Sequence, residues 1–267
     1  MRTKGIIIAV SGKGGTGKTM LSALLVRYFS KFGNVFAIDA DPDSNLPEVL
    51  GLEVNKDVGS AREKILNIRS DRISSSESKK DIFEMELLQT IEEYQDFDLL
   101  VMGRSEGAGC YCTINHILRD VIDTKSMNYD TVIIDCEAGL EHLSRRTTRD
   151  ADEMIIVSDA TKKGMMAAKR VRELCKEVNI EFDRIAVVAN KVTPETKPIM
   201  EELGRENGME IIGYIPFDPL ISEFDAMGRS LLELPEDSPC LLAAYDIFDT
   251  IRIDAEEKYK KKGGAKC

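Results

Sequence analysis

The chain has no run of about 18 consecutive apolar residues, so no transmembrane helix is expected. Its opening, "MRTKGIIIAVSGKGG", lacks the apolar core and small-residue cleavage site of a secretory signal, which places the protein in the cytoplasm as an expectation. Positive charge is also short. The 36 Lys and Arg face 47 Asp and Glu, for a net charge of −11. Non-specific nucleic-acid binding depends on neutralising phosphates with Lys and Arg, so no nucleic-acid partner is expected. Six cysteines in a cytoplasmic chain do not read as a disulfide framework. Internal repeats and a convincing interdomain linker are absent as well.

What is present is a soluble globular composition. Of 267 residues, 43% are hydrophobic and 31% charged, enough for a substantial core in one large domain. "GIIIAV" (5–10) is a continuous β-branched run, the signature of a strand covered on both faces. Comparable runs are "NVFAID" (34–39), "FDLLVM" (97–102), "TVIID" (131–135), "MIIV" (154–157), "IAVVAN" (185–190) and "EIIGYI" (210–215). Between the first two, Leu21, Leu24, Leu25, Tyr28, Phe29 and Phe32 recur at helical spacing, and Gly33 provides a stop. Residues 164–178 and 195–207 also read as helices. This alternation predicts a doubly wound α/β domain with right-handed crossovers and a mainly parallel sheet of roughly seven strands. The domain is expected over 1–254, with 53–96 as a variable helical or mobile segment whose middle, "RSDRISSSESKKD", is polar. Residues 255–267 read as a frayed helix and a flexible tail with a solvated lysine face.

The chemistry is concentrated after the first strand. The run Gly12-Lys13-Gly14-Gly15-Thr16-Gly17-Lys18-Thr19-Met20 contains the spacing G-x-x-x-x-G-K-[ST] between a strand and a helix, the context of a phosphate loop. Glycines let backbone N–H groups turn toward a β-phosphate seated at the positive helix end. Lys18 would neutralise β/γ charge, and the Thr19 hydroxyl would hold Mg²⁺. Lys13 is surplus to this pattern. It stands where the backbone turns outward from its own nucleotide, well placed to cross a dimer interface.

"KGGTGKT" resembles the deviant Walker A motif of the MinD/ParA and nitrogenase-iron-protein superfamily of dimerising ATPases. The resemblance implies a P-loop ATPase in which Lys13 reaches the partner subunit's nucleotide and, with Lys18, stabilises transition-state charge. It further implies that "AIDADPDSNL" carries the first switch, with Asp41 orienting the attacking water and Asp39 supporting Mg²⁺ through water. "TVIIDCEAGLEHL" would then be the Walker B strand and second switch, with Asp135 bonding a Mg²⁺-bound water. "VVANK" would place Asn190 against the adenine amide edge with Lys191 beside it, and "YIPFDPLI" would place Pro216, Phe217 and Asp218 over the base. ATP or ADP and Mg²⁺ are the implied ligands, and a homodimer the implied assembly.

A second constellation is "GAGCYCTIN" (107–115). Cys110 and Cys112 are two residues apart, which on an extended segment points both thiols to one side. The adjoining "TINHILRDVID" reads as a helix, whose N-terminus favours thiolate. Thiolates bind soft or borderline metals, although two packed small hydrophobes or a redox pair fit the same residues. Four donors for zinc or nickel would need a two-fold dimer. "CYC", with "DCEAGLEHL" downstream and "GRSLLELPEDSPC" near the end, looks like the CooC-type ATPases, which assist nickel insertion into carbon monoxide dehydrogenase, with relatives that serve acetyl-CoA synthase. That resemblance implies Ni²⁺ or Zn²⁺ bridging the dimer through Cys110 and Cys112, and a nickel-enzyme client.

Two other readings belong beside it. A MinD/ParA-type positioning ATPase would act on membrane or DNA, yet "IFDTIRIDAEEKYKKK" carries too many acids for stable membrane association. An iron–sulfur reductase like the nitrogenase iron protein would share a cluster through two cysteines about 35 residues apart, and only Cys136, adjacent to Asp135, is near that position. Cys136, Cys175 and Cys240 are expected to be structural, Cys267 free, and His142 a local hydrogen-bonding residue.

Overall fold

The computed structural model describes residues 5–66, 85–103, 128–136, 151–177 and 182–264. Eight strands form one sheet: β1 (Ile6–Gly12), β2 (Val35–Asp39), β3 (Glu92–Glu93), β4 (Phe97–Val101), β5 (Thr131–Asp135), β6 (Ala151–Asp159), β7 (Phe182–Val192) and β8 (Ile211–Pro216). Their order across the sheet is β3-β4-β2-β5-β1-β6-β7-β8. Every pairing is parallel except the short one between β3 and β4. The seven apolar runs are all strands. The eighth, Glu92–Glu93, carries no hydrophobic alternation and exists because it pairs with Asp98 and Leu99 at the sheet edge.

Why the central strands are apolar throughout is clear from their surroundings. All residues of β1, β2 and β5 are buried, and successive side chains feed two different cores. Ile6, Ile8, Val10, Val35, Ala37 and Ile133 face one layer, where helix α1 (Lys18–Phe29) contributes Leu21, Leu24, Leu25 and Phe29. Phe248 and Ile251 of the last helix complete that layer. Ile7, Ala9, Phe36, Ile38, Val132 and Ile134 face the other. Each fully buried Leu or Ile contributes about 1.5–3 kcal/mol through removal from water. Truncating Leu24 to Ala would cost about 2–5 kcal/mol, because packed neighbours collapse only partly into the void.

The remaining helices are α2 (Leu46–Leu50), α3 (Val58–Leu66), α4 (Lys162–Glu177), α5 (Lys197–Asn207), α6 (Pro219–Ala226) and α7 (Pro239–Gly264). The first of these opens the wall opposite the phosphate loop. Four details depart from the sequence reading. α1 ends at Phe29, and Phe32 lies beyond it, 54% exposed beneath the Arg252 guanidinium 4.5 Å from its ring centroid. Gly33 answers to a close approach, since a Cβ there would lie 2.5 Å from Asp130 Oδ2. The segment 53–96 contains both α3 and β3, while 67–84 lies outside the described residues. The frayed helix expected from 255 runs through Gly264, farther than a tail beginning at 255 would allow. Arg252 pairs with Glu256 one turn on, and Lys258 pairs with Asp183 at the start of β7, which carries the helix past its last buried turn. No helix among the described residues is long and apolar enough to cross a membrane.

Candidate nucleotide site

The chain runs β1 to β2, β4 and β5 on one side of the sheet, then returns to β6 on the other side of β1. A crevice opens at the carboxyl ends of strands where the order reverses, and this is where open α/β sheets bind ligands. The phosphate loop sits there. Its backbone is specified by approach distances as well as by torsions. Gly12 has φ +150°, and a Cβ there would lie 2.3 Å from the Val157 carbonyl oxygen of β6. Gly17, at φ +96°, caps α1, and a Cβ there would lie 2.3 Å from Asn190 Nδ2. Only glycine fits either position.

The loop's carbonyls are held from within the loop and from β7. Thr16 donates through Oγ1 (2.7 Å) and N (3.3 Å) to the Lys13 carbonyl. Lys191 Nζ donates to the Gly15 carbonyl at 3.2 Å, and Asn190 Nδ2 to the Thr16 carbonyl at 2.8 Å. The open end of the loop faces a cleft of about 500 Å³, lined by Gly14, Gly15, Gly17, Lys18, Thr19 and Met20 on one side. Asp41, Asn45, Glu48 and, from α6 and the turn after it, Ser222, Asp225 and Arg229 line the other. Lys13 is exposed and does not line this chain's own cleft.

Beneath the loop lies a buried polar core. Asp135, at the end of β5, accepts a hydrogen bond from Ser22 Oγ of α1 at 3.0 Å and another from the Thr19 hydroxyl. Burial pushes the Asp135 carboxyl up to about 6, while the two hydroxyls and Lys18 pull the other way. Asp39 pairs in register with Asp135 across β2 and β5. Its Oδ1 accepts from Asp41 N (3.1 Å) and its Oδ2 from Leu46 N (3.0 Å). Burial first, and the Asp135 charge second, push Asp39 up to about 7. Asp39 therefore ties down the loop that carries Asp41 as well as standing beside Asp135. Thr19, Asp135 and Asp41 supply hard oxygen donors next to a phosphate loop, a set that suits Mg²⁺. The fit is supported by the two hydroxyls already turned onto Asp135.

Of the expected base-binding residues, Asn190 and Lys191 line the cleft. Asn190 is 2% exposed, with Nδ2 on the phosphate loop and Oδ1 accepting from Lys191 N at 2.8 Å. Asp218 caps α6 by accepting from Leu220 N (3.0 Å) and also accepts from Ser238 Oγ (2.7 Å) and Cys240 N (3.4 Å), so it joins two helices. Pro216 ends β8 opposite Val192, and Phe217 is exposed. None of Pro216, Phe217 and Asp218 lines the cleft. Ser22 and the far wall were missed from sequence. Ser22 had a signal, a serine one turn after Lys18 among buried leucines. Glu48, Asp225 and Arg229 come from separate segments and had none.

Cys110, Cys112, His142 and Cys267 lie outside the described residues. Cys136, Cys175 and Cys240 are buried, and burial raises all three thiols, Cys175 to about 11 and Cys240 to about 12. Protonated and enclosed, they act as small hydrophobes. Among the described residues, no group of three or more His, Cys, Asp and Glu could hold a metal ion.

Comparisons with known proteins agree with this geometry. The chain is 45% identical to an uncharacterized ATP-binding protein of Methanocaldococcus jannaschii over 96% of this chain and 100% of that one. It is 31% identical to the carbon monoxide dehydrogenase accessory protein CooC of Rhodospirillum rubrum, over 85% of this chain and 89% of that one. Among solved structures, a ParA family ATPase from Chlorobium tepidum superimposes with a TM-score of 0.70 at 22% identity, covering 91% of this chain and 98% of that one. The septum site-determining protein MinD of Pyrococcus horikoshii, complexed with Mg-ADP, does so with a TM-score of 0.66 at 22% identity, covering 92% and 95%. The profile of the CobQ/CobB/MinD/ParA nucleotide-binding domain matches residues 7–231, and the chain belongs to that family.

Proposed function

We propose that this protein is an ATP-hydrolysing metallochaperone that works as a homodimer and matures a nickel enzyme. The observation that carries the ATPase part is the phosphate loop, with its carbonyls turned outward, Lys18 within it and Asp41 across the cleft. Lys18 offsets charge on the β/γ-phosphates, and Asp41 orients the water that attacks the γ-phosphorus. The bond to the β–γ bridging oxygen then breaks, releasing ADP and phosphate. Thr19 and Asp41 would hold Mg²⁺, with Asp39 and Asp135 supporting it through water, and the ion would supply positive charge against the phosphate oxygens. Lys13, exposed and outside its own cleft, is the group a second copy would present to this site.

The maturation part rests on the CooC relative and on Cys110 and Cys112. Two thiolates from each copy would make one four-sulfur site for Ni²⁺ or Zn²⁺ on the dimer axis, and the client would be carbon monoxide dehydrogenase or acetyl-CoA synthase. Equilibrium dialysis should find one metal ion per dimer, lost in Cys110→Ala and in Cys112→Ala. Stoichiometric metal in both variants would end this reading. A positioning role is the second reading, favoured by the 27% identity to the MinD protein of Thermotoga maritima over 79% of this chain. ATP-dependent co-sedimentation with anionic liposomes or DNA, with no metal bound, would select it instead.

A further inference from the structure

An aspartate carboxylate turns easily about its last side-chain bond, whose energy wells are broad and nearly two-fold. One donor therefore leaves its plane undefined, and two donors fix it. Asp135 ends β5 only 1% exposed, in register with the likewise buried Asp39 of β2. Asp39 is held by the backbone, since its two oxygens accept from Asp41 N and Leu46 N. Asp135 is held by side chains, and both come from α1. One is the Thr19 hydroxyl; the other is Ser22 Oγ, which donates to Oδ1 at 3.0 Å. Thr19 and Ser22 stand three residues apart, on one face of the helix that continues the phosphate loop. Ser22 is fully buried, with Leu21, Leu24 and Leu25 of the same helix in the apolar core around it. A hydroxyl in such surroundings costs stability unless it has a partner, and here it is turned onto Asp135.

We infer that Ser22 is a positioning residue for the magnesium site: with Thr19 it fixes the plane of the Asp135 carboxylate, and so the direction in which Asp135 accepts from water beside the ion. Thr19 and Ser22 differ in reach. Thr19 lines the cleft, whereas Ser22 is enclosed and outside the cleft lining, so it touches neither ion nor nucleotide and acts only through Asp135. The pair ties the acid of β5 to the helix of the phosphate loop, which keeps the support of the ion and the phosphate cradle in one geometry. This inference rests on the nucleotide reading of the cleft.

The test measures ADP affinity by calorimetry on the full-length chain, once with Mg²⁺ and once with EDTA. Ser22→Ala should bind ADP in EDTA as the wild type does, because the phosphate loop itself is untouched. The factor by which Mg²⁺ tightens ADP should fall about tenfold, the lower end of the cost of removing a partner that orients a metal-supporting ligand, since the Thr19 bond remains. Ser22→Thr keeps the hydroxyl and should restore the factor. Ser22→Cys, nearly isosteric but a weak donor, should lose it, and serves should Ser22→Ala not fold. A serine that only stabilises the helix would lower the melting temperature and leave the Mg²⁺ factor intact. That result in the folded variants, or an equal loss of affinity with Mg²⁺ and with EDTA, would overturn the inference. A wild type that binds no ADP under either condition would instead remove the nucleotide reading, and the inference with it.

Discussion

The two walls of the cleft are built on different plans. The phosphate-loop wall is one contiguous stretch, residues 12–20, held between β1, β6 and β7 by close backbone approaches and by the buried Asn190 donor. The opposite wall is assembled from distant segments. Asp39 gathers Asp41 and Leu46 by accepting their N–H groups, and Ser230 Oγ fastens α2 to the turn after α6 by donating to the Leu50 carbonyl at 2.7 Å. Position on the first wall is over-determined; on the second it depends on a few polar staples. The first wall suits a fixed cradle for charge, and the second suits a surface that responds to what the cradle holds.

Two variants break or sharpen that contrast. Gly17→Ala strikes the rigid wall, forcing a Cβ into Asn190 at a left-handed position. It should lower ATP affinity by on the order of a hundredfold or more in calorimetry, since strain of about 1–3 kcal/mol adds to displacement of the loop itself. Ser230→Ala strikes the stapled wall. It should cost about 1 kcal/mol in denaturant unfolding and weaken ATP only severalfold. Equal losses of ATP affinity in the two variants would erase the distinction between the walls.

The smallest effect lies outside both walls. Glu153 of β6 is buried, and its Oε2 has no hydrogen-bond partner among the described residues. Burial raises its carboxyl to about 7 against the pull of Arg184. A raised carboxyl binds its proton more tightly in the folded state, so its contribution is complete below the unfolded value near 4.5 and is lost as pH rises through about 7. Glu153→Gln should flatten the fall in melting temperature between those limits without changing ATP affinity. An unchanged pH profile would show that the buried acid is not its source.

The contrast between the walls also explains what the sequence disclosed. The glycines and Lys18 were legible because a contiguous cradle needs particular residues at fixed spacing. Seven strands were legible because burial on both faces demands unbroken apolar runs, whereas Glu92–Glu93 becomes a strand through its neighbour. Glu48, Asp225 and Arg229 stayed hidden because only the folded chain brings them to one cleft. Asn190 was read as touching nucleotide, and it lines the cleft; its hydrogen bond to the Thr16 carbonyl joins residues far apart in sequence and had no local signal. The lysine-rich end looked frayed because the partner of Lys258, Asp183, is remote in sequence.

The most direct measurement of the central claim is ATP turnover per mole of chain across a dilution series, for the wild type and for Lys13→Ala. Two copies acting on each other's ATP predict that wild-type specific activity falls on dilution. They also predict that Lys13→Ala binds ATP with near wild-type affinity but hydrolyses it about 10³-fold more slowly, the scale of a charge supplied in trans. Specific activity independent of concentration, together with undiminished turnover in Lys13→Ala, would contradict the account.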